Sequence, residues 1–165
     1  MPMLTPNVDT DQIIPALFVG SRTEEKFVHA LFRNERDKTI SFILNDPKMK
    51  DRQIIFAGPD FGCGNSREAA VWALMAGGFQ TVISTAFSDI FRQNSLKYGL
   101  LPVLLTDDQY VELTELVHRN PDILIDIDLQ SRKVTSNEGS YACPLRMDEF
   151  DLHLLVEGMG SWTTS

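Results

Sequence analysis

Cysteine is scarce in this 165-residue chain: Cys63 and Cys143 are the only two, with no CxxC pair and no cysteine–histidine cluster. Zinc fingers and self-contained iron–sulfur centres need about four well-placed ligands, so this sequence alone builds neither. The two thiols read as the reduced cysteines of a cytoplasmic protein. Long apolar runs are also missing. No stretch approaches the roughly 20 residues of a membrane span, and the first residues lack the charged-then-apolar layout of a secretion signal. Positive charge is in short supply, with 15 Lys and Arg against 23 Asp and Glu, a net charge of −8 and a pI near 4.8. That balance excludes a binder of nucleic-acid backbones and a docker on anionic lipid, while leaving room for a local basic pocket. Internal repeats and low-complexity tracts are absent.

What is present is a hydrophobic fraction of 43% in a chain with room for one domain, residues 1–165. A chain of roughly 150 residues buries about 68–70% of its unfolded surface, enough for a core without disulfides or metal. Short apolar runs alternate with helical periodicity, the signature of an α/β layered domain. After an irregular start, Thr23 precedes a helix carrying Phe27, Ala30 and Leu31 and ending in the polar run 33–38. A strand follows over 53–57, then a glycine-rich loop over 58–64 and a helix from Ser66 to about Ala76, stopped by Gly77 and Gly78. Residues 81–84 are a strand, 88–98 a helix with Ser88 as cap and Gly99 as stop, and 100–105 a strand. Thr106 and Gln109 form a capping box for a helix reaching about His118, ahead of Pro121. Ile123, Ile125, Ile127 and Leu129 alternate with polar residues. They mark a half-buried strand, antiparallel to 133–136 or to 140–144, with a turn at 137–139. A last helix from about Met147 to Glu157 turns Phe150, Leu154 and Leu155 inward and ends at Gly158. The sum is a mixed sheet flanked by helices.

The chemistry concentrates in Asp60-Phe61-Gly62-Cys63-Gly64-Asn65-Ser66-Arg67-Glu68. A strand passing through glycines into a helix lets backbone approach a ligand and aims first-turn N–H groups at it. Arg67 adds a cationic fork suited to a carboxylate, so the segment is a candidate carboxylate or phosphate cradle. The alternative is that Asn65 or Ser66 merely caps the helix while the glycines serve the turn. A dinucleotide fingerprint fails because its third glycine is Arg67. Cys63 as a nucleophile lacks a base, since His29, His118 and His153 lie on separate helices. A second constellation, Asn7-Val8-Asp9-Thr10-Asp11-Gln12-Ile13-Ile14-Pro15, reads as a polar turn before a strand in preference to a magnesium site. In the third, 88–102, Arg92, Asn94 and Lys97 lie along an exposed helix face.

Taken in order, NVDTDQIIP, FGCGNSRE and AFSDIFRQNSLKYGLLPV, with the weaker FILNDP between the first two, resemble the small subunits of the 3-isopropylmalate dehydratase branch of the aconitase family. The resemblance runs from about Asn7 to Gly158. It implies a swivelling β/β/α domain that closes over a large subunit, in a heterodimer or heterotetramer. The large subunit would carry a [4Fe-4S] cluster, with none bound by this chain alone. The implied reaction interconverts 2-isopropylmalate and 3-isopropylmalate by dehydration and rehydration, a step of leucine biosynthesis. Of the implied site, Gly62, Cys63, Gly64 and Arg67 bind the small dicarboxylate substrate, Arg67 through a carboxylate.

The family usually reads Gly-Ser-Ser-Arg, its first serine acting as base; here that position is Asn65, whose amide is no base. Two roles stay open: Ser66 takes over, or Asn65 orients while another group abstracts the proton. Ala69 replaces a common histidine, and Asp151 with Leu152 stands where two basic residues are usual. The thinning of cations leaves the expectation of a paralogue acting on another substituted malate, such as 2-methylmalate/citraconate or dimethylmalate, and Asn65 that of a non-catalytic subunit that kept the fold. The loop 16–26 is expected to contribute to substrate choice.

Overall fold

The computed structural model describes residues 1–18, 20, 23–65 and 67–163, the last three of these by backbone alone. Four strands, β1 (Pro2–Met3), β2 (Ile54–Ala57), β3 (Thr81–Ser84) and β4 (Leu101–Leu104), form a parallel sheet in chain order. A second sheet, antiparallel, joins β5 (Ile125–Asp128), β6 (Lys133–Ser136) and β7 (Ala142–Pro144). The helices are α1 (Thr10–Ile13), α2 (Glu24–Ala30), α3 (Arg33–Lys38), α4 (Glu68–Ala76), α5 (Asp89–Tyr98), α6 (Asp107–Arg119) and α7 (Glu149–Thr163). The α/β class expected from the sequence is therefore present, its parallel and antiparallel parts occupying separate sheets.

Alternation along the parallel strands divides two cores. Ile55, Ala57 and Val82 face a cluster completed by α1, α2 and α4, whereas Phe56, Ile83 and Val103 face one completed by Leu113, Val134, Tyr141 and Leu155. A sheet covered on both faces needs apolar side chains on both, which is why these strands read as continuous apolar runs. Helix α5 serves both sides, giving Phe91 to the first core and Leu96 to the second. The Tyr110 hydroxyl donates to the Ala57 carbonyl at 2.5 Å, pinning α6 to the end of β2. Burial pushes that phenol up to about 12.

Several expectations give way to tertiary packing. The start is not wholly irregular, because β1 pairs with β2; two residues are too few to leave an alternating pattern. The single helix expected after Thr23 is two, broken at Phe32, whose backbone turns left-handed (φ 49°). Its N–H donates to the Ile13 carbonyl at 2.8 Å, and its ring is buried, so core placement overrides continuity. Phe150 points outward at 70% exposure, leaving Leu155 as the buried anchor of α7. Nor does Gly158 end that helix. It sits inside α7 where the helix crosses the end of α5, and a Cβ there would lie 2.5 Å from the Lys97 carbonyl oxygen and 2.6 Å from the Gly99 nitrogen. Glycine acts here as a contact residue rather than a stop signal.

Replacing Gly158 with alanine should therefore reverse the usual helix preference and destabilise the chain by about 1–3 kcal/mol, the range for overpacking. Thermal or urea denaturation reads this directly; a melting point at or above that of the parent would contradict so close a crossing.

Candidate functional site

In open parallel sheets ligands gather beyond the carboxyl ends of the strands, and the glycine-rich segment leaves β2 at that end. Beyond the sheet proper, two isolated parallel bridges, Asp9 with Cys63 and Phe61 with Phe87, hold it between α1 and α5. From the α5 side the Ser88 hydroxyl donates to the Gly62 carbonyl at 2.9 Å while accepting from the Phe91 N–H. From the α1 side Gly62 donates to the Val8 carbonyl at 2.8 Å, and Thr10 donates to Cys63 O (2.9 Å) through its N–H and to Asn65 O (2.8 Å) through its hydroxyl. Thr10 is buried and spans both sides of Gly64.

Both glycines of the loop are required by what lies against them. Gly62 (φ +80°) presses on the Phe91 ring, which a Cβ would approach to 2.2 Å. Gly64 (φ +89°) lies against the Asp9 carboxylate, with 2.3 Å between a would-be Cβ and Oδ2. Left-handed backbone and close approach coincide at each.

The short helix α1 is braced in turn. The Asp9 side chain accepts from the Asp11 N–H at 2.7 Å, and the Gln12 side chain accepts from the Asp9 N–H at 2.8 Å, completing a capping box. Ile13 and Ile14 are fully buried. On the face toward the loop, Asp11 Oδ1 lies 3.0 Å from Nη2 of Arg67, whose side chain is 21% exposed. Arg67 is the extended residue before α4 and makes no side-chain cap of that helix. Glu68, in the first turn, accepts from Tyr98 Oη at 2.7 Å and from Lys97 Nζ at 3.1 Å, tying α4 to the end of α5.

Of the residues singled out from sequence, Gly62, Cys63, Gly64, Asn65 and Arg67 thus come together, while Ser66 lies outside the described residues. The helix expected from Ser66 runs from Glu68 with Arg67 in the cap position, so Asn65 is not its cap. Cys63 is half-buried, and burial together with the Asp9 and Asp60 carboxylates pushes its thiol up, so it is a poor nucleophile. The three histidines are exposed on separate helices. Arg92 and Lys97 do not simply meet solvent: Arg92 pairs with Asp151 of α7 and Lys97 with Glu68. Val19, Ser21 and Arg22 of the loop 16–26 fall outside the described residues.

Thr10 and Asp11 are the residues that sequence reasoning left unassigned. The signal was available in Asp9-x-x-Gln12, the same capping-box spacing as at Thr106, which marks a helix start rather than a bare polar turn. Among the described residues no three His, Cys, Asp or Glu side chains converge as metal ligands. Cys143, buried in β7, accepts from the Tyr141 hydroxyl and lies in the other core. No helix among the described residues is long and apolar enough to cross a membrane.

This geometry, an α/β domain presenting a braced glycine loop and one arginine, has counterparts. A family model described as the aconitase C-terminal domain matches residues 3–108, and the chain belongs to that family. Within it, the chain is 44% identical to the 3-isopropylmalate dehydratase small subunit of Thermobifida fusca over 159 residues, 96% of this chain and 80% of that protein. It is 46% identical to the protein of the same name from Streptomyces coelicolor, again over 159 residues, covering 96% and 79%. The crystal structure of 3-isopropylmalate dehydratase from Methanocaldococcus jannaschii superposes with a TM-score of 0.70 at 25% identity, covering 95% of this chain and 86% of that one.

Two outcomes test the site geometry. Gly64→Ala should cost about 1–3 kcal/mol of stability in denaturant unfolding, through strain and displacement of Asp9. Because the raised Cys63 thiol holds less thiolate at neutral pH, alkylation by iodoacetamide should be slower than for a free cysteine. Asp9→Asn, removing one of the repelling charges while keeping a capping side chain, should speed it.

Proposed function

We propose that this chain is the small subunit of a hydro-lyase that interconverts 2-isopropylmalate and 3-isopropylmalate by removing and returning water, in leucine biosynthesis. The observation that carries the reading is Arg67, held at the carboxyl end of the parallel sheet beside a loop stripped of side chains at Gly62 and Gly64. A guanidinium offers a carboxylate two parallel N–H bonds, and the bare loop lets the substrate approach backbone. The agreement with small subunits over 96% of the chain supports the same reading.

The neighbourhood of Arg67 is acidic, with Asp9, Asp11 and Asp60 close to the loop. A dianionic substrate therefore needs further cations, which the large subunit supplies when it closes against this face. On this reading the large subunit also carries the [4Fe-4S] cluster; membership of the aconitase family supports that, and Cys63 and Cys143, on the glycine loop and on β7, are the only two cysteines of this chain. When present, such a cluster supplies a Lewis acid for the departing hydroxyl. On this chain, Arg67 fixes a substrate carboxylate, Gly62, Cys63 and Gly64 form the backbone surface beside it, and Asn65 orients the substrate. Ser66, ionised to its alkoxide, takes the proton from the carbon next to the carboxylate and becomes the neutral hydroxyl, which returns the proton on rehydration. The chain works in the cytoplasm as one swivelling domain.

Reconstitution with the cognate large subunit, assayed on 3-isopropylmalate through the absorbance of isopropylmaleate, tests the proposal. Turnover should require both chains. Arg67→Lys should lower kcat/KM about 10- to 100-fold, the scale of a lost hydrogen bond to a charged group. Ser66→Ala should abolish turnover while leaving assembly by gel filtration intact; full activity in that variant would remove Ser66 from the role of base, and an inactive complex of parent chains would overturn the function.

A further inference from the structure

The Asp11–Arg67 pair joins the two motifs that the sequence keeps far apart, and its surroundings are unusual for a surface ion pair. Exposed pairs normally link two mobile side chains and contribute little. Here the backbone that carries the acidic partner is braced, although its side chain is half-exposed. Its helix is closed by the capping box of Asp9 and Gln12, anchored below by Ile13 and Ile14, and stitched to the loop by both polar groups of Thr10. The Asp11 backbone consequently has a fixed position relative to Gly62–Asn65, and from it the half-exposed carboxylate reaches Arg67. Arg67, mostly screened from solvent, meets it through a single Nη2, and among the described residues its guanidinium makes no other ion pair.

We infer that Asp11 is a positioning residue, which holds the Arg67 guanidinium by one corner so that its remaining N–H groups face an incoming substrate carboxylate. The inference rests on the functional reading above, and it adds a residue and a role to it. An unrestrained arginine must lose most of its rotamer freedom when it forms a two-point contact; one already restrained at Nη2 loses less, and affinity rises by the difference. Asp11 stays in place when the ligand binds, because Arg67 carries more donors than one carboxylate can use. It is not a competitor that the substrate must displace.

Such preorganisation acts on binding in the ground state and transition state alike, so its loss appears in KM rather than kcat. In the reconstituted complex, Asp11→Asn should raise KM for 3-isopropylmalate roughly tenfold and change kcat by less than about twofold. Asp11→Glu should recover part of the loss. A KM equal to the parent value overturns the inference, and a lower one does so by revealing Asp11 as a competitor. Side-chain NMR of the full-length chain alone separates this from the functional reading, since it needs no turnover. The Arg67 Nη signals should be split by hindered rotation in the parent and averaged in Asp11→Asn, with the thermal melting point held. Signals already averaged in the parent would overturn the inference even if the complex is active. An inactive complex with split signals would instead leave the pair intact and overturn only the assigned reaction.

Discussion

Thr10 makes the contact on which the rest of this site depends. One residue donates twice, from its N–H to Cys63 O and from its hydroxyl to Asn65 O, and so clasps both sides of Gly64. A loop with two left-handed glycines has little conformational preference of its own. Its shape is imposed by neighbours: α1 and Thr10 on one side, Ser88 and the Phe91 ring on the other. The absence of side chains at Gly62 and Gly64 is the reciprocal of that clasp, since Phe91 and Asp9 occupy the space their Cβ atoms would need. Each residue of Asp9-Thr10-Asp11-Gln12 then has a defined duty as cap, clasp, counter-ion or second half of the capping box.

The same arrangement explains how an acidic chain can serve an anionic substrate. The site spends its acidic residues on structure: Asp9 caps a helix and Asp11 steadies Arg67. Elsewhere cations are also committed, Arg92 to Asp151 and Lys97 to Glu68. Asp151, which stands where the family usually has a basic residue, thus balances Arg92 across the α5–α7 crossing. The chain offers one steadied arginine and a bare loop. In the proposed complex the remaining positive charge and the metal belong to the large subunit, and closure of the two chains completes the site.

Much of this was legible in the sequence where the signal is local. The strand at 81–84, the Ser88 and Gly99 boundaries of α5 and the capping box at Thr106 and Gln109 follow from short-range chemistry, and all stand in the structure. What was not legible depends on distant partners. Nothing near Phe32 announces a left-handed residue, because the reason is the Ile13 carbonyl and the core around it. Gly158 looks like a stop until the end of α5 is seen against it. The glycine loop and Arg67 read as a candidate cradle from their local pattern, whereas the cluster at Asp9–Gln12 reads as a polar turn, since only the fold brings it beside that loop.

The N-terminal motif, through Thr10, holds the glycine loop in its shape. Amide hydrogen exchange of Gly62 and Thr10, whose N–H groups bond Val8 and Cys63 carbonyls, tests it most directly in the parent chain and in Thr10→Val. Protection close to that of the β2 and β3 amides, falling selectively at Gly62 in the variant while those strands stay protected, is the predicted result. Rapid exchange at Gly62 in the parent, or protection there unchanged by the substitution, would contradict it.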